Sequence, residues 1–386
     1  MAITRRAFLR GAAAGAGLVL AGAAGLNAAS RSTKKPGALD DAAVKSVTLK
    51  ITCTTRILKI KTTDALRIWM PLPQNDCDQT ISGAGGDAKA AAPDDINNIN
   101  DINGAAPFVI ETQTVGAGGG SSAASSSRTA PIKIAFDDSK NRMAYIEGWK
   151  FKEGDAVVLK YDIVRKTADT SRYPSENTPE YLARHLVPSE WEKWDDNIAA
   201  FVDKLTGAET DPVKIARKCY DAVIDRMEYV HEVCGRGVST LAFEDKSGRC
   251  DEYHALFRSM LMYKKIPVRW EQGLTLPYPS EMKKSGELEA DCISAHSWVR
   301  FYTGKGVWMP ADLSEAATRP ALRDFSFGRL AANRIKMSTG RGLTLNPPQK
   351  GILNTFPYAY IEANGYPFIY GHNYRNILKY DLVGID

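Results

Sequence analysis

From Val47 onward the chain alternates apolar and polar positions. The run Val47-Thr48-Leu49-Lys50-Ile51-Thr52-Cys53 is followed by Leu58-Lys59-Ile60 and Leu66-Arg67-Ile68-Trp69-Met70, and residues 132–136 and 157–164 continue the pattern. A period of two marks strands with one buried face, and short strands broken by Gly, Pro and Asp predict a β-sandwich over residues 45–170. Residues 78–131 interrupt it. Gly, Ala, Ser, Asp and Asn dominate there, only 108–112 reads as strand, and the remainder is expected to be a disordered insertion. From Pro179 the period becomes helical. Pro212 followed by Val213, Ile215, Ala216, Tyr220 and Val223 predicts a helix with proline in its first turn. A second helix is predicted from Tyr253, Leu256, Phe257, Met260 and Leu261. Strand patterns resume after it, so residues 180–386 are expected to form an α+β domain. Residues 328–370, rich in Tyr, Pro and Gly, are expected to add strands that close its sheet.

This pattern places Cys250 in the first turn of the second helix, two residues after Gly248. Orphan backbone N–H groups and the helix dipole favour a thiolate there, whereas Asp251 and Glu252 oppose it, so a partner base is required. A hairpin supplies the candidate: 295–302 reads as a strand, 303–306 as a turn and 307–312 as the return strand. Folding about Gly304 sets Asp312 opposite His296. A carboxylate beside one imidazole nitrogen fixes the tautomer and leaves the other free for a thiol, the logic of an activated nucleophile. Spacing brings His296 and Asp312 together; it does not bring the hairpin to Cys250.

The segment from Ser247 to Asp312 closely resembles the transglutaminase-like superfamily, the papain-related Cys–His–Asp proteins. The resemblance rests on Gly248-x-Cys250 followed by Leu256-Phe257, on Ile266-Pro267-Val268-Arg269 leading to Gly273, on His296-Ser297-Trp298-Val299, and on Trp308-x-Pro310-x-Asp312. It implies a papain-like core in which Cys250 is the nucleophile, His296 the base and acid, and Asp312 the residue that orients it. Trp69-Met70-Pro71-Leu72-Pro73 resembles the β-rich domain often found before such cores. Asp291-Cys292-Ile293-Ser294 places a second thiol near His296, outside the family pattern. The resemblance implies an enzyme that forms a thioester and passes the acyl group to water or to an amine; hydrolysis of a peptide or isopeptide amide is the first expectation, because water is the default acceptor. The alternatives are protein cross-linking by transfer to amines, and a binding or scaffold protein that keeps the fold without turnover.

The N-terminus changes the setting. Thr4-Arg5-Arg6-Ala7-Phe8-Leu9-Arg10 is a twin-arginine motif, and an apolar run follows from Gly11 to Leu26. Residues 1–28 are therefore expected to be a signal peptide, cleaved after Ala23 or Ala28, with a linker over 29–44. The apolar run is too short and glycine-rich to span a membrane well. The expected product is exported by the twin-arginine machinery to the periplasm or beyond, has no integral membrane segment, and takes a protein or peptide substrate such as cell-wall peptide. In a chain of 386 residues, 44% hydrophobic and 25% charged, composition is ordinary; the net charge of +5 falls to about +2 once Arg5, Arg6 and Arg10 are removed. Nucleic-acid binding has little support. Six cysteines are too few for a disulfide framework; Cys53 and Cys219 read as buried hydrophobes, and Cys234 with Cys292 is the candidate pair. No cofactor motif is present. His231 and Cys234 lack a second ligand pair for zinc, and residues 94–104 lack the first ligand of a calcium loop, position 99 being Ile. His254, four residues after Cys250, is expected at the surface or beside the site.

Overall fold

A computed structural model describes residues 40–82, 109–113, 132–172, 177–231 and 235–386. The expected signal peptide, most of the linker, the acidic run at 94–104 and Cys234 lie outside the described residues.

Two sheets bury the alternating faces read from the sequence. The first has the order Ser285–Glu289, Tyr374–Ile385, Ser46–Ile57, Ala156–Lys166 and Gln79–Ser82, with Val109–Gln113 also on Ala156–Lys166. The second runs Tyr366–Pro367, Tyr360–Ala363, Leu66–Pro71, Arg142–Glu147 and Ile132–Phe136. Val47, Leu49 and Ile51 from the first sheet and Leu66, Ile68 and Met70 from the second share one buried cluster. Each such side chain contributes roughly 1.5–3 kcal/mol on leaving water.

A third sheet, Arg334–Thr339, Val268–Thr275, Ala295–Tyr302, Val307–Ala311 and Ser171–Arg172, carries the candidate chemistry. Helices α1 (Pro179–Arg184), α2 (Asp196–Thr206), α3 (Pro212–Arg226), α4 (Ser239–Asp245), α5 (Cys250–Tyr263) and α6 (Leu313–Thr318) complete the fold. The sides of α2, α3 and α5 bearing Ile198, Ile215, Tyr220 and Phe257 pack on Val268, Trp270, Val299 and Phe301 of that sheet. Asp211 caps α3 and Pro212 occupies its first position, as the sequence predicts. Among the described residues no helix is long and apolar enough to cross a membrane.

Sheet membership departs from linear order in two ways. Of the strands expected to close the core sheet, Arg334–Thr339 does so, whereas Tyr360–Ala363 and Tyr366–Pro367 join the second sheet. Tyr374–Ile385 and Ser285–Glu289 then extend the first sheet, so residues beyond 180 complete layers begun before 170. The cause is edge pairing. Ser46–Ile57 would expose a row of unpaired backbone groups, and Tyr374–Ile385 covers it from Val47↔Ile385 to Ile57↔Tyr374.

The hairpin register also differs. Val299 faces Ala311 and Tyr302 faces Trp308, so the turn centres on Lys305 rather than Gly304. Gly304, Lys305 and Gly306 all adopt positive φ, at 88°, 54° and 77°, which makes a three-residue loop.

Candidate active site

Cys250 opens α5, and the helix start is held by its own first turn. Glu252 accepts from the Arg249 N–H at 3.0 Å and, with its other oxygen, from the N–H groups of Arg236 and Gly237 at 2.8 Å each. Gly248 permits this closeness: a Cβ there would fall 2.3 Å from the Glu252 Cβ. The far side of the helix is tied down by Tyr253, whose hydroxyl donates to the Met227 carbonyl at 2.7 Å.

The Cys250 side chain is 5% exposed, with its sulfur 3.9 Å from Asp251 Oδ1 and 4.0 Å from the Ala295 carbonyl. Burial, and then the Asp251 carboxylate, push the thiol up to about 12, against hydrogen bonding from Ser297 and the charge of Arg249. The expected advantage of the helix terminus is thus outweighed, and the resting group is a thiol. Among the described residues the sulfur forms no hydrogen bond with His296, although Ala295 brings the His296 strand alongside it.

His296 lies on Ala295–Tyr302, opposite Gly273 of the neighbouring strand. Its Nε2 is 2.6 Å from Asp312 Oδ2. Asp312 sits one residue past the return strand, as the cap of α6. In the observed register it projects opposite Trp298, two residues along from His296 on the same face, which is within diagonal reach. The expected contact therefore forms through a different register.

Asp312 is fully buried and richly bonded. Oδ1 accepts from the Glu315 N–H at 2.9 Å and the Ser314 hydroxyl at 3.0 Å, while Arg334 Nη1 donates to Oδ2 at 2.7 Å. Burial alone would raise its pKa; His296, Arg334 and His254 instead hold it well below the usual carboxylate range. Arg334 is itself buried and also pairs with Glu315. An ionised Asp312 assigns the proton to His296 Nε2 and leaves Nδ1 with its lone pair.

His254 is not at the surface: it is wholly buried beside the site. Its Nδ1 is 2.6 Å from the Cys250 carbonyl, which can only accept, so Nδ1 carries the proton. Nε2 accordingly accepts the Leu313 N–H at 3.1 Å. Burial pushes this histidine down to about 4, so it is neutral. It clamps the turn holding Cys250 to the turn holding Asp312.

A cleft of about 290 Å³ opens on the group, lined by His296, Ser297, Asp251, Gln272 and Cys292 among others. The Ser297 hydroxyl donates to Asp251 Oδ1 at 2.8 Å. Cys292 is disulfide-bonded, whereas Cys53, Cys219 and Cys250 keep their thiols, so Cys292 is not a second thiol. Its expected partner Cys234 falls outside the described residues. Arg249 fastens this lip by donating to the Cys292 and Ile293 carbonyls at 3.0 and 2.8 Å. Arg334, Ser297 and the clamping role of His254 were not read from the sequence. An arginine in the strand pattern of 334–337 is a signal only once the strand is known to be buried.

Residues 199–313 match the model of the transglutaminase-like superfamily core. A protein of Haemophilus influenzae is 26% identical over 203 residues, covering 45% of this chain and 55% of its own. YebA of Bacillus subtilis is 33% identical over 86 residues, covering 22% and 12%. The chain thus spans about half of the first relative and about an eighth of the second. Among solved structures, a Cytophaga hutchinsonii protein to which cysteine protease activity has been ascribed aligns with TM-score 0.48 and 13% identity, over 88% of this chain and 98% of that one. The periplasmic domain of TgpA from Pseudomonas aeruginosa aligns with TM-score 0.34 and 11% identity, over 74% and 92%.

Proposed function

Because residues 199–313 form a transglutaminase-like core, we propose that the protein is an exported thiol hydrolase that cleaves amide bonds through a thioester on Cys250. The observation that carries this reading is the contact at 2.6 Å between His296 and the buried Asp312, itself held by Arg334, with His296 on the strand whose Ala295 carbonyl lies 4.0 Å from the sulfur.

In this reading His296 Nδ1 takes the thiol proton as substrate enters, and the sulfur attacks the amide carbonyl. The Cys250 backbone N–H, at the start of α5, is the donor placed for the oxyanion. His296 then returns the proton to the departing amine, leaving an acyl–sulfur bond. Water attacks that thioester, giving its proton to His296, and the thiol is regenerated as the acid leaves. Asp312 keeps its charge throughout and stabilises the imidazolium. Export rests on the twin-arginine motif at Thr4–Arg10, and an extracytoplasmic polypeptide, cell-wall peptide included, is the substrate class that export suggests.

Incubation of the purified protein with peptide amides, with and without a primary amine, tests the reading. Hydrolysis in both conditions is expected, with loss on Cys250→Ala and a fall of at least 10³-fold on His296→Ala. Predominant amine adducts would make it a cross-linking enzyme. Ligand binding by Cys250→Ala, with no product from the unaltered protein, would make it a scaffold.

A further inference from the structure

A second cavity, of about 690 Å³, lies outside the lining of the catalytic cleft. It is within the size range of ligand sites. Its walls are cationic: Lys140, Arg184, Arg258, Arg269 and Arg341 face it, against the carboxylates of Asp138 and Glu192. Glu192 is shared, pairing with Arg258 and lying 3.3 Å from Arg341. Arg269 is further offset by Glu271 at 2.6 Å, behind the wall. Two positive charges are still left over. Lys140 and Arg184, both exposed, form no ion pair among the described residues. The His185 ring lies on the same wall, and burial first, then the charges of Arg269, Arg258 and Arg184, push it down to about 3. Held neutral, it adds no charge and remains able to hydrogen-bond.

The cavity adjoins the cleft across a thin partition. The Arg341 guanidinium is sandwiched between Trp270 at 4.5 Å, on the cavity wall, and Trp191 at 5.6 Å, on the cleft wall. It donates to the Arg236 carbonyl and to Asn354 Oδ1 at 2.9 Å each, and both of those residues line the cleft. The same strand serves both spaces. Trp270 faces the cavity and Gln272 the cleft, their side chains 3.3 Å apart on one face. Two residues of strand amount to about 7 Å, less than the reach of an extended tripeptide.

We propose that this cavity is a carboxylate-binding subsite of the catalytic cleft, and that the amide donor is an acidic peptide whose carboxylates enter it. The assignment rests on Cys250 being the nucleophile. The exposed Lys140 ammonium and Arg184 guanidinium leave the wall with positive charge that its own carboxylates do not offset, and a planar carboxylate is the anion a guanidinium binds with best geometry.

Full-length Cys250→Ala, which can hold a peptide without consuming it, is titrated with a tetraglutamate-bearing peptide, with the same peptide carrying glutamine, and with inorganic phosphate. The acidic peptide is expected to bind at least tenfold more tightly than the neutral one, with the preference shrinking as salt rises. Adding Lys140→Gln and Arg184→Gln, two exposed changes, is expected to remove the preference. Equal binding of the two peptides, or a preference that survives the double change, overturns the subsite. Phosphate binding as tight as that of the acidic peptide overturns the carboxylate assignment. Preferential binding by the unaltered protein without cleavage leaves the anion cavity standing and overturns the peptide as amide donor.

Discussion

Single side chains at this site are set against one another by burial. His254 has its two nitrogens committed to backbone groups, and protonation would break the bond from Leu313. Its folded pKa of about 4 lies below the unfolded value near 6.5. The unfolded chain therefore takes up a proton that the folded one refuses. The stability involved is fully present above pH 6.5 and is lost as pH falls toward 4, to the extent of about 3 kcal/mol. His185, pushed down to about 3, acts in the same direction. Urea midpoints recorded from pH 7.5 to 4 are expected to fall steeply, and His254→Gln to flatten that dependence by about one proton; an unchanged slope in the variant would show that His254 is not the group responsible. Cys250 is shifted the opposite way. With the thiol near 12, iodoacetamide should react slowly at neutral pH and faster as pH rises, with no plateau below about pH 10. A rapid reaction that levels off below pH 8 would mean that a thiolate–imidazolium pair exists before substrate arrives.

At the scale of the element, the start of α5 and the hairpin show what the pattern of residues could and could not reveal. The helix was legible from Tyr253, Leu256, Phe257, Met260 and Leu261, because one face is apolar at helical spacing, and Cys250 fell at its start. The hairpin was legible as two strands around a glycine-containing turn. Its register was not, because Lys305 joins two glycines at positive φ and nothing in a lysine advertises that conformation. The His296–Asp312 contact forms nonetheless, because Asp312 reaches His296 diagonally. Arg334 and His254 were not legible in their roles, since each depends on long-range packing that brings 254, 312 and 334 together. Gly248 gives this scale its test. Gly248→Ala would force a methyl group into Glu252, at a cost of about 1–3 kcal/mol, and would release the loop at Arg236 and Gly237. Activity is expected to fall by more than the loss of folded protein explains, as read by kcat per mole of folded enzyme. A fall matching the folded fraction would mean that the cap supports the fold alone.

Across the whole molecule, the layers are locked to one another. Leu274, Ile335 and Met337 from the core sheet belong to the same buried cluster as Ile51, Ile68 and Leu378. Arg300, on the His296 strand, pairs with Asp78, next to the strand Gln79–Ser82. Urea transitions followed by activity and by far-UV circular dichroism are therefore expected to coincide, and Leu378→Asp to move both together; activity persisting after the β signal is lost would reveal a core that folds by itself. The pairing of Val47 with Ile385 has a further consequence during synthesis. A ribosome delivers Ser46–Ile57 long before Tyr374–Ile385, so one flank of that early strand stays bare while the residues between them are made. For most of that interval the nascent chain carries an open β edge beside an apolar face, and a holding chaperone has something to grip until Tyr374–Ile385 closes it.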